Sequence, residues 1–410
     1  MAEQSNQIQC DVLVAGGGMV GAALACALAE RQFSVVVVEL KEPAHDWPGD
    51  EVDLRVSALT RASEQILRNL GVWERMAELR ISPYREMLVW DAGGRGSIHF
   101  DAAEIGEPDL GHIVENRITQ LALWEKLGAL ESVQRICPDS ISSMDTAESG
   151  CRVVLKSGVK IEAALVVGAE GAKSSVRDIA AITSSGWAYD QHAIVATIWP
   201  EQHHGDVARQ RFMPQGPLAF LPIDNGCCSI VWSTSPQEAE QLMALDDESF
   251  CKALTQASER MLGDVTRVGP RGVFPLRLRN ADHYVKPGLA LVGDAAHGIH
   301  PLAGQGVNLG FLDAAALVDV LVEAREHGRA LSSMATLRRY ERARKGANIA
   351  MLGAMDGFKR LFSNRNLPLA LLRNLGLSLA DAAGPIKQLI TRRALGLVGE
   401  LPKLARRGGW

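Results

Sequence analysis

The stretch Gly293-Asp294-Ala295-Ala296-His297-Gly298-Ile299-His300-Pro301-Leu302-Ala303-Gly304-Gln305-Gly306-Val307-Asn308-Leu309-Gly310 carries more chemistry per residue than any other part of the chain. An apolar run, Leu289 to Val292, delivers it to a single acid, Asp294. A loop containing Gly304 and Gly306 leads on to a long helical pattern that opens near Val307. One carboxylate beside a bare backbone suits a ligand with a chain of hydroxyls and a flat ring. The helix N-terminus at Val307-Asn308 adds unpaired N–H groups and partial positive charge for an anionic group. His297 and His300 invite an acid–base reading, although a histidine in a tight loop more often bonds backbone groups. The sequence shows no G-x-S-x-G, no cluster with metal-ligand spacing and no supported cysteine–histidine arrangement, so no metal is expected.

A second constellation lies near the N-terminus. Cys10 to Ala15 reads as a buried strand, Gly16-Gly17-Gly18-Met19-Val20-Gly21 as a tight turn, Ala22 to Glu30 as a helix and Ser34 to Val38 as a second strand ending in Glu39. Strand, G-x-G-x-x-G, helix, strand and acid form a dinucleotide-binding fingerprint. Gly16 permits the turn, Gly18 lets a pyrophosphate reach the backbone, and Gly21 lets helix and strand pack closely. Glu39 is placed to accept hydrogen bonds from ribose hydroxyls. The fingerprint alone suits FAD or NAD; its N-terminal position and the Asp294 stretch favour FAD. No second G-x-G-x-x-G follows, so a separate domain for NAD(P)H is not expected.

These residues need elements to hold them. Asp53-Leu54-Arg55-Val56-Ser57-Ala58-Leu59 precedes a helical stretch from Arg61 to Leu70, and Arg55 could meet a pyrophosphate with its planar fork or serve as a surface arginine. Leu165 to Gly168 is a buried strand running into Ala169-Glu170-Gly171-Ala172-Lys173-Ser174-Ser175-Val176-Arg177. Between Trp187 and Ser235 the β-rich runs Ile194–Ile198 and Cys228–Trp232, with turns at Gly216-Pro217 and Asp224-Asn225-Gly226, predict an inserted antiparallel sheet. Such a sheet could wall a flat ring, with Phe220 and Trp232 as pocket or core aromatics.

Composition sets the outer bounds. A chain of 410 residues, 47% hydrophobic and 22% charged, has ample core for two domains or for one with an inserted lobe. The net charge of -5 gives no reason to expect nucleic acid, and seven cysteines without a C-x-x-C pair fit a reduced, cytoplasmic setting. The polar start and the lack of an 18-residue apolar stretch argue against a signal peptide and a membrane span. Charge is unevenly spread: from Gly357 onward ten Lys/Arg stand against Asp381 and Glu400. Within that basic end, Ile386, Leu389, Ile390, Ala394, Leu397 and Val398 fall on one helical face after Pro385, with Lys387, Gln388, Thr391 and Arg392 off it. Together with the leucine-rich run Leu367–Leu379, this reads as a helical pair packed on the body or as a basic amphipathic surface for anionic lipid.

The 293–310 stretch resembles the second flavin-contacting motif of the single-component aromatic hydroxylases. G-G-G-M-V-G, D-L-R-V-S-A-L, L-G-H-I-V-E-N, H-A-I-V-A-T-I, A-F-L-P, C-S-I-V-W-S and R-R-Y-E-R-x-R-K extend the resemblance over almost the whole chain. Together they are similar to the ubiquinone-biosynthesis hydroxylases among the class A flavoprotein monooxygenases, and nearest to members acting on ring carbon 5 of polyprenylphenol. The resemblance implies an α/β fold with a Rossmann-like FAD-binding domain of the GR2, p-hydroxybenzoate hydroxylase type, an inserted antiparallel-sheet substrate domain and a C-terminal helical region. It divides the chain into FAD-binding parts 1–75, 105–185 and 276–350, substrate-domain parts 76–104 and 186–275, and basic C-terminal helices 351–410.

Gly16, Gly18, Gly21, Glu39, Arg55, Arg117, Asp294, Gly306, Val307 and Asn308 would then contact FAD, and Pro301 to Gly306 would frame its ring. The implied reaction uses NAD(P)H and O₂ to hydroxylate a polyprenylphenol through a flavin C4a-hydroperoxide. The cofactor carries the hard step, so few catalytic side chains are expected. Glu170 departs from the family's aspartate in the motif associated with FAD and the reduced nicotinamide. A lipid-borne substrate implies contact with the inner membrane or with a biosynthetic complex, and homo-oligomers are compatible with the sequence. Two other readings are a flavin-dependent prenyl reductase and a non-catalytic FAD-bearing subunit of a quinone-biosynthesis complex.

Overall fold

The computed structural model describes residues 7–49, 51–92, 96–298, 306–362 and 384–409. His300, Pro301, Gly304 and the run Leu367–Leu379 lie outside these residues.

The short apolar runs form a sheet buried on both faces, which explains their lack of polar alternation. Its order is β17 (Val285–Lys286), β18 (Leu289–Leu291), β11 (Lys160–Gly168), β1 (Gln7–Ala15), β2 (Val35–Val38) and β8 (Val133–Ile136). The pairs β18–β11, β11–β1, β1–β2 and β2–β8 are parallel, while β9 (Ile141–Ala147) and β10 (Gly150–Leu155) extend β11 antiparallel. Helix α1 (Met19–Glu30) covers the sheet. Its residues Gly21 to Ala29 are all buried, and it packs against α4 (Asn116–Ala129) and α8 (Gly306–Glu326). Small side chains along α1 allow three elements to meet with little intervening bulk.

A second sheet is built around the two long strands β12 (Ser184–Pro200) and β16 (Val265–Ala281). It runs β19 (His297–Gly298), β16, β12, β15 (Cys228–Thr234), β14 (Gly216–Pro222), β13 (Val207–Met213), β5 (Glu86–Asp91) and β6 (Ser97–Asp101). Strict alternation assigns its faces. Ile194, Ile198, Phe220, Ile230 and Trp232 are buried with Leu242 of α6 (Pro236–Ala244) and with Phe250 and Leu254 of α7 (Asp247–Ala257). Ala193, Val195 and Val231 point the other way. Between the two large sheets lies a third, β3 (Val56–Thr60), β7 (Gly111–Glu115) and β4 (Ser82–Tyr84). The remaining short helices are α2 (Arg61–Asn69), α3 (Trp73–Leu79) and α5 (Ser175–Ile179), and the long α9 (Met334–Phe362) packs on α8 and β17.

The C-terminal helix, α10 (Gly384–Ala394), corrects the expected packing. Its buried side is polar: Lys387 Nζ donates to the His99 carbonyl at 2.9 Å and pairs with Glu104 at 2.8 Å, and Arg392 donates to the Ile105 carbonyl at 3.0 Å. Leu389 and Ile390 instead stand 61% and 58% exposed. Beyond α10 the chain straps α2: the Ala62 N–H donates to the Leu395 carbonyl, and Asn69 Nδ2 donates to the Leu404 and Arg406 carbonyls.

Candidate active site

In an open parallel sheet, ligands bind beyond the carboxyl ends of the strands. Here β1, β2, β8, β11 and β18 deliver Gly16–Gly18, Glu39–Leu40, Asp139–Ile141, Ala169–Lys173 and Val292–Asp294 to one edge. All of these segments line a single cavity of about 1160 Å³. Backbone bonds hold the loops in register: Ala169 N–H donates to the Ala15 carbonyl, Gly16 N–H to Val38, and Asp139 N–H to Glu39.

The glycines show what this edge can accept. Gly16 has φ +101°, and a Cβ there would lie 2.6 Å from the Ala169 carbonyl oxygen; one on Gly21 would lie 1.9 Å from the Gly16 carbonyl oxygen. Those two positions are closed by the protein's own packing. A Cβ on Gly18 would meet nothing within 4 Å, so its open side faces the cavity. Bare backbone at the N-terminus of α1 is therefore available to an anionic group, as a dinucleotide pyrophosphate requires. Glu39 lines the cavity beside it, its carboxylate accepting from the N–H groups of Gly17 at 2.5 Å, Leu40 at 2.8 Å and Lys41 at 3.2 Å.

Asp294 faces the cavity from the far side of the sheet. Solvent in the cavity reaches it, but protein surrounds it, and burial pushes its carboxyl above the ordinary range against the pull of His297 and Arg55. Gly306 and Val307, the first residues of α8, also line the cavity, so a helix N-terminus opens onto it. Asn308 is buried and ties α8 to β3: its Oδ1 accepts from the Thr60 N–H and its Nδ2 donates to the Ala58 carbonyl. His297 is likewise fully buried, 2.5 Å from Asp313, as a structural group on β19.

Several sequence-predicted residues sit elsewhere than expected. Arg117 does not line the cavity. It bonds Glu115 and Glu51 and lies over the Trp47 ring at 4.4 Å, whereas Asn116 and Gln120 of the same helix reach the cavity. Of the two readings open for Phe220 and Trp232, the structure takes the core one, beneath α6 and α7. The cavity wall opposite the parallel sheet comes from the other face, through Ala193, Val195, Val231, Phe274 and Leu276, with Leu54 from the segment before β3. The alternation of β12 and β15 carried that signal, because Val231 and Trp232 must face opposite ways. Asp139, Ser140 and Ile141 could have been found from the end of β8, the third parallel strand in chain order.

Four acids and four cations line the cavity, and they are held differently. Glu170 is held by donors from Ser174, Ser175 and the Val176 N–H, where it caps α5, and Asp139 accepts from Ser140 and Ser157. The cations Arg55, Lys173 and Arg277 also line the cavity and carry no ion pair among the described residues. Arg279, two residues along β16, donates to the Ala172 carbonyl at 2.7 Å, which brings it close to Lys173. The site thus offers anionic ligands cations that no ion pair holds in place.

Among the described residues one cluster has metal-ligating side chains: Glu64, Asp109 and His112, with His112 Nδ1 3.4 Å from Glu64 and 3.8 Å from Asp109. Arg61 pairs with both carboxylates, so a guanidinium already stands where a cation would sit.

A fold of two such sheets with a phosphate-accepting edge facing an apolar wall defines a flavin enzyme of the p-hydroxybenzoate hydroxylase type. The chain belongs to the FAD binding domain family, whose model matches residues 9–352. It is 43% identical over 387 residues to 3-demethoxyubiquinol 3-hydroxylase of Escherichia coli, covering 94% of this chain and 98% of that protein. Ubiquinone hydroxylase UbiL of Rhodospirillum rubrum is 39% identical, with 97% of this chain and 92% of that protein covered. Among solved structures, p-nitrophenol 4-monooxygenase PnpA from Pseudomonas putida superposes with a TM-score of 0.78 at 18% identity, covering 96% and 99% of the two chains. The protein is an FAD-dependent monooxygenase, with NAD(P)H the reductant typical of its kind. FAD supplies the redox ring and its reaction with O₂; the chain's residues bind and orient it and exclude water.

Proposed function

We propose that this chain hydroxylates the aromatic ring of a polyprenylated phenol or quinol in ubiquinone biosynthesis. The observation that carries the reading is the wall of Ala193, Val195, Val231, Phe274, Leu276 and Leu54 facing the FAD edge across one cavity. These side chains offer only hydrocarbon, which suits an aromatic ring with an apolar tail and leaves the oxygen chemistry to the cofactor. Gly18, Glu39 and Asp294 hold FAD, with Gly306 and Val307 at its ring, while Gly16 and Gly21 shape the turn and let α1 pack close to β1. Arg55, Lys173 and Arg277 supply the positive charge that FAD phosphates and an anionic dinucleotide reductant need. Carbon 5 is the ring position favoured by the motifs. The Escherichia coli relative is named for a 3-hydroxylation, so the assay must read the position directly.

No helix of the described residues is long and apolar enough to cross a membrane. The outward pair Leu389 and Ile390 beside the exposed Arg393 supports peripheral contact with an anionic membrane surface, where such a substrate resides. The deciding experiment is mass spectrometry of quinone intermediates in a strain lacking the protein, combined with ¹⁸O₂ labelling of the purified reaction. An accumulated ring lacking one hydroxyl, and one labelled oxygen in the product, are expected. Normal ubiquinone without an accumulated intermediate would overturn the assignment.

A further inference from the structure

Helix α8 places Asp313 two turns beyond the cavity, where the side chain is fully buried. Its Oδ2 accepts from the Gly293 N–H at 3.2 Å and from His297 Nε2 at 2.5 Å. Its Oδ1 accepts from Arg344 Nε at 2.8 Å and Asn348 Nδ2 at 3.0 Å, both on α9, and Arg344 in turn donates to Asn348 at 2.9 Å. Gly293 and His297 are the two ends of the turn that carries Asp294. A single carboxylate therefore fastens both ends of that turn to one helix.

A buried carboxylate with all four acceptor positions filled is held in one place and one orientation. Burial alone would raise its pKa, but His297 and Arg344 overcome this and hold the carboxyl at about 2. One turn further along α9 from Asn348, Leu352 packs with Tyr189, Ala193, Leu276 and Leu278. Ala193 and Leu276 belong to the hydrocarbon wall of the cavity. The same helix thus touches the substrate wall and, through Asp313, the flavin-facing turn.

We infer that Asp313 is a positioning residue: through Arg344 and Asn348 it fixes the Gly293–His297 turn, and with it Asp294, at the register FAD binding needs. The inference rests on FAD binding at this edge and not on the identity of the substrate. Asp313→Asn alone would leave Arg344 buried without its counter-charge, at a cost in stability that hides any positioning effect. The informative protein is the full-length double variant Asp313→Asn/Arg344→Met, which removes both charges and keeps the volume.

Its expected behaviour is a melting temperature of the apoprotein near that of the parent, at least tenfold weaker FAD binding by fluorescence titration, and an altered visible flavin spectrum. Asn348→Leu, which leaves both charges in place, is the second variant and is expected to weaken FAD binding several-fold with the fold intact. Arg344→Lys, keeping the cation, is expected to stay within about threefold of the parent. Parental FAD affinity and spectrum in Asn348→Leu, or in a double variant of restored stability, would overturn the inference. Failure of the parent protein to bind FAD would overturn the flavin site itself.

Discussion

Replacing Gly18 and Gly21 by larger residues separates the ligand's space from the protein's own. Gly18 has φ −67° and ψ −179°, an extended conformation open to any residue, and its Cβ would project into the cavity. Gly18→Leu should therefore fold, losing only the roughly 1 kcal/mol by which glycine exceeds leucine as a helix N-cap. The new side chain denies an anionic group access to the first N–H groups of α1. Two hydrogen bonds to a charged group, at about 1.5–3 kcal/mol each, amount to about 3–6 kcal/mol. That corresponds to FAD binding weakened by roughly 100-fold to 10,000-fold. Gly21→Ala is the control of opposite character: its methyl would stand 1.9 Å from the Gly16 carbonyl oxygen, so α1 must move off the sheet. A stability loss of about 3 kcal/mol or more is expected there, with or without cofactor. Thermal melting of the apoproteins and fluorescence titration with FAD distinguish the two. A Gly18→Leu protein that binds FAD as the parent does would refute the cradle.

The two faces of β15 should behave as differently. Trp232→Ala removes a buried ring against Phe250 and should cost about 3–5 kcal/mol of stability in denaturant titration, while Val231→Trp should keep the fold and abolish substrate-dependent oxygenation by filling the cavity. Asp294 gives a pH signature. Because its folded pKa is raised, the native apoprotein binds more protons than the unfolded chain between the ordinary carboxylate pKa and the raised value. Its contribution to stability is present below that window, falls as pH rises through it and stays lost at neutral pH. Asp294→Asn should raise the apoprotein's melting temperature at neutral pH, by an amount that shrinks on acidification, and should weaken FAD retention in gel filtration. Leu389→Glu/Ile390→Glu should leave melting unchanged and lower co-sedimentation with anionic liposomes; unchanged sedimentation would count against membrane contact through α10.

Local features of the site were legible in the sequence because one contiguous stretch contains all their parts. The turn at Gly16–Gly21 and the acid at Glu39 need only β1, α1 and β2, and the run into Asp294 needs only β18. The opposite wall was not legible in the same way. Alternation shows that Val231 and Trp232 face apart, but which face is core depends on the side onto which α6 and α7 fold back, and the strand's own pattern does not contain that. Phe220 and Trp232 are then open to a pocket reading and a core reading alike, and the fold uses them as filling. Helix α10 failed for a related reason. Its periodicity marks an apolar side correctly, yet the groove beneath it presents carbonyls of His99 and Ile105 and the carboxylate of Glu104, which select Lys387 and Arg392. Arg117 was drawn away by the acids Glu51 and Glu115, brought together only in three dimensions.

The order of strands in the parallel sheet has a consequence for synthesis. Central β1 is among the first segments made, but its neighbour β11 and the strand beyond it, β18, come much later. About 280 residues separate Gly16 from Asp294. At ribosomal speeds of about 5–20 residues per second, the N-terminal half of the cradle waits roughly 15–55 s for its counterpart. During that interval no FAD site exists, so cofactor cannot stabilise the nascent chain by mass action. The edge of β1 stays open until β11 is made, and the edge of β11 until β18 follows. A shortage of FAD would consequently show as faster turnover of completed chains and not as failed synthesis.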